Sequence, residues 1–286
     1  MTVSRWLLCW TLLTLALCRA EEPANPGGSV FAVDDKQITK RIHDQAAALI
    51  AAGKTTKISA LIEQLKNTSC RVQLPLTART PPPDRLYEHC RPSVLIMAGI
   101  FKCDKCSDWH VAPASGFALS ADGVCVTNYH VVDAPARETL VAMTSEGQVY
   151  PVKAVLAASK RDDIAILQLD GAKLSPAPLL PNAAVGSKVS VISHPDGRFY
   201  MLTAGIISRY FVSSRNQSAS NMMAITADYA RGSSGAAVFN ERGEIVGMVA
   251  STQSIYYENK DGKQENLQMV VKQCVPAASI LKLIEK

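Results

Sequence analysis

The residues of this chain that could do covalent chemistry are a histidine, an aspartate and a serine, which stand in three separate segments. His130 lies in the Thr-Asn-Tyr-His-Val-Val segment at 127–132, Asp163 opens the Asp-Ile-Ala-Ile-Leu segment at 163–167, and Ser234 lies in the Gly-Ser-Ser-Gly segment at 232–235. A serine hydroxyl is a weak nucleophile at neutral pH, so it needs an imidazole to accept its proton and a carboxylate to orient that imidazole. The three residues therefore predict a nucleophilic triad.

These three segments, in this order, resemble the trypsin-like serine proteases, and the closest pattern is that of the bacterial HtrA/Deg type. The resemblance covers residues 92–286. It implies an all-β, two-barrel trypsin-like fold with His130 and Asp163 on the first barrel, Ser234 on the second and the active site between them. It also implies a serine endopeptidase that forms an acyl-enzyme, needs no cofactor and binds the oxyanion with the backbone amides of Gly232 and Ser234.

Two details of the segments bear on this prediction. Asp162 and Asp163 are adjacent, and strand alternation points neighbours to opposite faces, so only one can face His130; the match to the family segment selects Asp163. The chain departs from the commoner pattern at Ala236, where a second glycine is usual, while the first glycine, Gly235, is kept.

The residues that would select substrates are less clearly marked. Asp228 lies six residues before Ser234, a position that lines the primary pocket in the trypsin group and would there select arginine or lysine. HtrA-type enzymes carry a structural aspartate slightly further upstream, and a structural role for Asp228 is favoured because a buried unpaired carboxylate is costly. The resemblance also implies that Ala250, Ser251 and Thr252 form the substrate-binding edge strand. Small side chains there would leave a pocket open to a modest apolar residue.

The first 20 residues are typical of an export signal. Arg5 supplies positive charge, an apolar stretch covers 6–18, and small residues follow at the cleavage position. We therefore expect an exported protein, periplasmic or extracellular, with no membrane span in the mature chain. Loss of Arg5 and Arg19 with the signal lowers the formal net charge from +5 to +3, which is too small to indicate nucleic acid as a partner. The expected partners are polypeptide substrates, with unfolded proteins among the candidates.

The chain has eight cysteines, of which six follow the predicted signal. Structural disulfides are favoured because export exposes thiols to an oxidising environment. The short Cys-x-x-Cys spacing near two histidines leaves two alternatives open, a zinc site and a redox-active pair. The zinc alternative would use Cys90, Cys103, Cys106 and His110.

The elements that must position the site follow from hydrophobic spacing. Apolar residues at helical intervals between 34 and 66, interrupted by Gly53, predict a small helical hairpin within an N-terminal segment at 21–74. Prolines predict an extended linker at 75–91. From 92 onward, short apolar runs separated by turn signals predict β-strands at 93–100, 116–120, 124–127, 152–156, 164–169, 188–192 and 245–249. A final helix is predicted from Val275 to Lys286, with Ile280, Leu281 and Leu283 facing inward and no PDZ domain after it.

One other function class stays open. A trypsin-like fold can keep its scaffold and act as a catalytically latent protein-binding module, with the helical hairpin or the cysteine cluster as its working surface. The hairpin itself has two interpretations, a packing appendage or a regulatory element, and the appendage is favoured because an amphipathic hairpin needs only a core to cover.

Overall fold

Two six-stranded antiparallel barrels make up most of the chain. The computed structural model of the protein describes residues 32–75, 85–213, 219–260 and 263–285, so the predicted signal peptide and the proline run at 81–83 lie outside the described residues. The first barrel closes in the order β1-β2-β3-β6-β5-β4, and the second in the order β7-β8-β9-β12-β11-β10. The predicted all-β, two-barrel fold is confirmed.

The strands of the first barrel are β1 (Val94–Lys102), β2 (Trp109–Ala118), β3 (Val124–Thr127), β4 (Thr139–Met143), β5 (Val149–Ser159) and β6 (Ile164–Leu169). Those of the second are β7 (Lys188–Ser193), β8 (Met201–Ser213), β9 (Ser220–Ile225), β10 (Ala237–Asn240), β11 (Ile245–Lys260) and β12 (Lys263–Pro276). Within the described residues, five α-helices accompany them: α1 (Asp35–Ala51), α2 (Ile58–Gln64), α3 (Leu86–Cys90), α4 (Tyr129–Val132) and α5 (Ala277–Leu281).

The sequence of strand β1 is a continuous run of apolar residues because both faces of the strand are buried. Leu95 and Met97 point into the interior of the first barrel, whereas Ile96 and Ile100 join a second cluster. That second cluster also contains Phe239 of the other barrel. Because both faces of the strand are buried, the alternation of apolar and polar residues that marks a half-exposed strand disappears. Burying each such side chain contributes about 1.5–3 kcal/mol.

The N-terminal helices pack on the barrels. Asp34 caps α1 by accepting a hydrogen bond from the Gln37 backbone N–H at 2.9 Å, and Gly53, at φ +65°, follows its C-terminal end. Ile42 of α1 is buried in the cluster shared by both barrels. Leu61 of α2 is buried with the residues of the first barrel. The helical segment from residue 33 onward and the barrels therefore belong to one compact unit.

The C-terminal helix is shorter than predicted. It begins at Ala277, because Val275 and Pro276 still pair with Met248 and Gly247 as the last residues of β12. Ile280 and Leu283 are buried as predicted, and Leu281 is only half-buried.

Candidate active site

His130 and Asp163 are brought together by the pairing of β3 with β6. His130 lies on the one-turn helix α4 directly after β3, Asp163 directly precedes β6, and Thr127 is registered with Ala165. His130 Nδ1 lies 2.9 Å from Asp163 Oδ2 and 3.0 Å from Oδ1. The His130 backbone N–H also donates to Oδ1 at 3.1 Å. An Nδ1 proton held by the carboxylate leaves Nε2 of His130 as the proton acceptor.

Asn128 supports the backbone at Asp163, a role that was not predicted from the sequence. Its side chain is fully buried, and its Nδ2 donates to the backbone carbonyl of Asp163 at 2.9 Å. Asp163 has a φ of +55°, a conformation that costs energy in a non-glycine residue and needs surrounding contacts to hold it. The Asn128 hydrogen bond supplies such a contact. The only available signal was its place in the segment that carries His130.

Ser234 lies in the loop between β9 and β10, which turns sharply at two glycines. Gly232 has φ +97° and Gly235 has φ +90°, the left-handed region that favours glycine. A side chain at Gly232 would lie 2.5 Å from the backbone carbonyl of His194, so the close approach of two backbones requires glycine as well. Ser234 is half-buried and lines the cavity that His130 also lines.

Ser115 of β2 ties this loop to the first barrel. Its backbone N–H donates to the Ser234 carbonyl at 2.8 Å, and its hydroxyl donates to the Gly232 carbonyl at 3.0 Å. Thr127 in turn donates from its hydroxyl to the Ser115 carbonyl at 2.8 Å. Since Ser115 and Thr127 belong to the barrel that carries His130, these bonds set the position of Ser234 relative to the imidazole. No motif or spacing in the sequence marks Ser115 for this role.

The backbone amides of Gly232 and Ser234 are the predicted oxyanion donors. The carbonyl of Arg231 accepts a hydrogen bond from the Asp196 N–H at 2.6 Å. In a trans peptide the next N–H points the opposite way, so the Gly232 N–H is directed away from the Asp196 turn. Among the described residues, neither this N–H nor that of Ser234 has a protein acceptor. Two such donors beside a nucleophile are what oxyanion stabilisation requires.

Two cavities flank His130. One, of about 520 Å³, is lined by Phe101 and 111–114 from the first barrel and by Asp196, Gly232 and Ser234 from the second. The other, of about 440 Å³, is lined by Asp163, Met222, Ala250, Ser251 and Gln273, among others. His130 lines both cavities. Ala250 and Ser251 thus lie at the site, whereas Thr252 is exposed and does not line the cavities that contain His130.

Asp228 does not line either cavity. Its side chain is 84% exposed and forms an ion pair with Lys272 at 3.0 Å, which argues against a role as a pocket carboxylate. The next residue, Tyr229, explains why the Asp228 side chain is exposed. Tyr229 is buried, and its hydroxyl lies 2.9 Å from the Ser251 carbonyl and 2.8 Å from the Gln273 carbonyl. The phenol ring turns inward at this point of the loop and Asp228 turns to the solvent.

Asp162 and His194 are buried and hydrogen bonded to neighbouring residues, as expected for structural rather than catalytic residues. Burial raises the pKa of Asp162, but hydrogen bonds from Arg161, Ser220 and Ser159 outweigh it and leave the pKa lowered. His194 is fully buried, with Nε2 3.2 Å from the Leu95 carbonyl, and its Nδ1 accepts from the Tyr200 N–H at 3.1 Å. Burial lowers the pKa of His194 to about 4. Both residues therefore support the walls of the site.

The cysteines differ from the expectation. All six described cysteines are free thiols, so the favoured disulfides are not formed. Cys103 and Cys106 lie in the β1–β2 loop with their sulfurs 3.5 Å apart, and His110 lies beside both. A hydrogen bond from the Lys105 backbone and one from Cys106 lower the pKa of Cys103 to about 7. Cys90 is buried elsewhere, at His89 and Gly243, and does not join this cluster.

Comparison with known proteins agrees with this geometry. Residues 114–248 match the family model described as a trypsin-like peptidase domain. A probable periplasmic serine endoprotease, DegP-like, of Ectopseudomonas mendocina is 37% identical over 139 residues, which is 47% of this chain and 28% of that protein. A protein of the same name from Pseudomonas savastanoi pv. phaseolicola is 35% identical over 137 residues, with the same two shares. A probable serine protease, do-like, of Buchnera aphidicola is 34% identical over 142 residues, 48% of this chain and 29% of that protein.

The similarity thus spans under a third of the length of these relatives. The predicted resemblance to trypsin-like serine proteases of the Deg type is confirmed over the matched segment. In the described part of the chain, no helix has the length and apolar character needed to cross a membrane.

Proposed function

We propose that this chain, whose residues 114–248 match the family model of a trypsin-like peptidase domain, is an exported serine endopeptidase. Ser234 attacks the carbonyl carbon of a peptide bond while His130 takes its proton, and Asp163 holds the imidazole in the required tautomer. His130 then returns the proton to the leaving amine, and water hydrolyses the acyl-enzyme. The amides of Gly232 and Ser234 bind the oxyanion in both halves of the reaction.

One observation carries this proposal. His130 is hydrogen bonded to Asp163 at 2.9 Å, and the same imidazole shares a cavity with Ser234 and Gly232. The shared cavity next to the paired carboxylate supports the assignment of His130 as base, Ser234 as nucleophile and the Gly232 and Ser234 amides as oxyanion donors. A binding module would need none of these alignments.

The substrates we propose are polypeptide chains that bind in extended form beside Ala250, Ser251 and Thr252. Ala250 and Ser251 line the cavity next to His130, and an extended peptide can add to a strand at such a position. Because Asp228 is exposed and paired with Lys272, selection of arginine or lysine by a pocket carboxylate is not part of the proposal. The export signal and the periplasmic relatives support a periplasmic location.

The test is covalent labelling with a fluorophosphonate, which forms an oxygen–phosphorus bond with an activated serine as fluoride leaves. We expect one adduct by intact mass, absent in Ser234→Ala and in His130→Ala. The matched control is Ser233→Ala, since Ser233 is the neighbouring serine but is fully buried and bonded to Ser193. No adduct on the folded wild-type protein would favour the binding-module alternative, and an adduct that persists in Ser234→Ala would refute the assigned nucleophile.

A further inference from the structure

We propose that Cys103, Cys106 and His110 form a zinc site at the tip of the β1–β2 hairpin, separate from the catalytic residues. The two sulfurs are 3.5 Å apart, and His110 Nε2 lies 3.1 Å from each of them. Among the described residues, this is the one group of three ligating side chains whose donor atoms converge so closely. Two thiolates and an imidazole are preferred ligands of zinc.

The size of this triangle favours a tetrahedral ion. Zn–S distances of about 2.3 Å and Zn–N distances of about 2.0–2.1 Å at tetrahedral angles separate the donor atoms by roughly 3.5–3.8 Å. A planar three-coordinate ion such as copper(I) would spread the same sulfurs to roughly 3.8–4.0 Å. The observed separations are nearer the tetrahedral values, and shifts of about 0.3–0.4 Å would reach them. The fourth position is left for water, since Cys106 is exposed.

The hairpin holds the histidine ligand in place before any ion binds. His110 is registered opposite Phe101 in the β1–β2 ladder, and the two rings pack at 5.3 Å. Lys102 lies over the Trp109 ring at 4.7 Å, which fixes the last residue pair of the ladder. One ligand therefore comes from a rigid strand and two from the short loop that follows β1, so a bound ion would tie the loop to the strand.

The position of the cluster gives the site a structural role. Phe101, which packs on the His110 ring, also lines the cavity that contains His130 and Ser234. Beyond His110, strand β2 continues to Ser115, which is bonded to the Ser234 loop. A zinc ion at the hairpin tip would therefore hold one wall of the cleft, without contacting the reacting atoms.

The experiment uses the full chain, exported by its own leader and purified without reductant in buffer containing micromolar zinc. We expect one zinc per chain by elemental analysis. Cys103→Ser and His110→Ala should lose it, with zinc affinity lowered more than about 100-fold, since even outer-shell partners of a metal cost about 10–100-fold. The matched controls are Cys70→Ser and His89→Ala, residues outside the cluster, which should keep full zinc content.

A second measurement uses only the wild-type protein, so it tests the proposal even if a variant does not fold. Cobalt(II) added to the reduced wild-type protein should give sulfur-to-cobalt charge-transfer absorption saturating at one equivalent, and zinc should abolish it. Three outcomes would overturn the proposal. They are absence of that absorption, zinc retained by both Cys103→Ser and His110→Ala, or a purified protein without zinc whose mass is lower by two hydrogens from a Cys103–Cys106 disulfide. The last outcome would assign the pair to thiol oxidation.

Discussion

The stability of this fold should fall as the pH is lowered from 6.5 to 4, because His194 must stay neutral. Its Nδ1 accepts a hydrogen bond from the Tyr200 N–H, and its Nε2 faces the Leu95 carbonyl. A proton on Nδ1 would remove the first bond and place a charge in a fully buried position. For this reason burial lowers the pKa of His194 from 6.5 to about 4.

The magnitude follows from linkage. Between pH 6.5 and 4 the unfolded chain binds a proton at His194 that the folded chain does not, so the free energy of unfolding decreases as the pH falls. The contribution is fully present above pH 6.5. Its loss approaches 1.4 kcal/mol per pH unit inside this window and amounts to about 3 kcal/mol by pH 4. Asp162, whose pKa is lowered from 3.8, loses its contribution at more acidic pH.

The assay is urea unfolding at several pH values between 7 and 4, comparing the wild type with His194→Gln. A glutamine offers an amide donor and a carbonyl acceptor without a titratable group. Between pH 6.5 and 4, the unfolding free energy of His194→Gln should therefore change by about 3 kcal/mol less than that of the wild type. His89→Gln is the matched control, because His89 is exposed, and it should keep the wild-type slope.

Equal slopes for the wild type and His194→Gln would refute the reasoning. If His194→Gln does not fold, an NMR titration of the wild-type imidazole decides the matter, since a midpoint near 6.5 would show that burial does not lower the pKa of His194. The prediction bears on function as well, because the His194 carbonyl lies against Gly232. Protonation at this point would disturb the loop that supplies the oxyanion amides.

Three further predictions concern the site. Asp163→Asn should lower kcat by about 10⁴-fold, since an amide favours the wrong tautomer of His130, while far-UV circular dichroism stays unchanged; unchanged turnover would contradict the assigned orientation. Gly232→Ala should abolish fluorophosphonate labelling. It should also lower the unfolding free energy by about 1–3 kcal/mol more than Gly197→Ala does. Gly197 is the control because it shares a positive φ but has nothing within 4 Å of an added Cβ. Asp228→Ala should leave the cleavage preference in a peptide library unchanged, and loss of cleavage after arginine and lysine would place that carboxylate in the pocket after all.

Much of the architecture could be predicted from local sequence. Strands β3 and β6 begin and end where the apolar runs and turn signals place them, because short buried strands bounded by turns carry a strong local pattern. The exposed half of β12, by contrast, consists largely of polar residues at 263–268 and was missed. It is a strand because it pairs with β11 along its length, and that pairing is invisible in the residues themselves.

The candidate site divides in the same way. The sequence by itself was enough to propose which histidine, aspartate and serine carry the chemistry, since each lies in a short segment whose residue types and neighbours are informative. Only the tertiary structure decided what holds Ser234 in place, because Ser115 lies 117 residues from Gly232. Tertiary packing also turned Asp228 to the solvent, separated Cys90 from Cys103 and Cys106, and left all three as thiols. Spacing fixes which side chains a segment offers, but the distances between segments are set only when two barrels close and pack against each other.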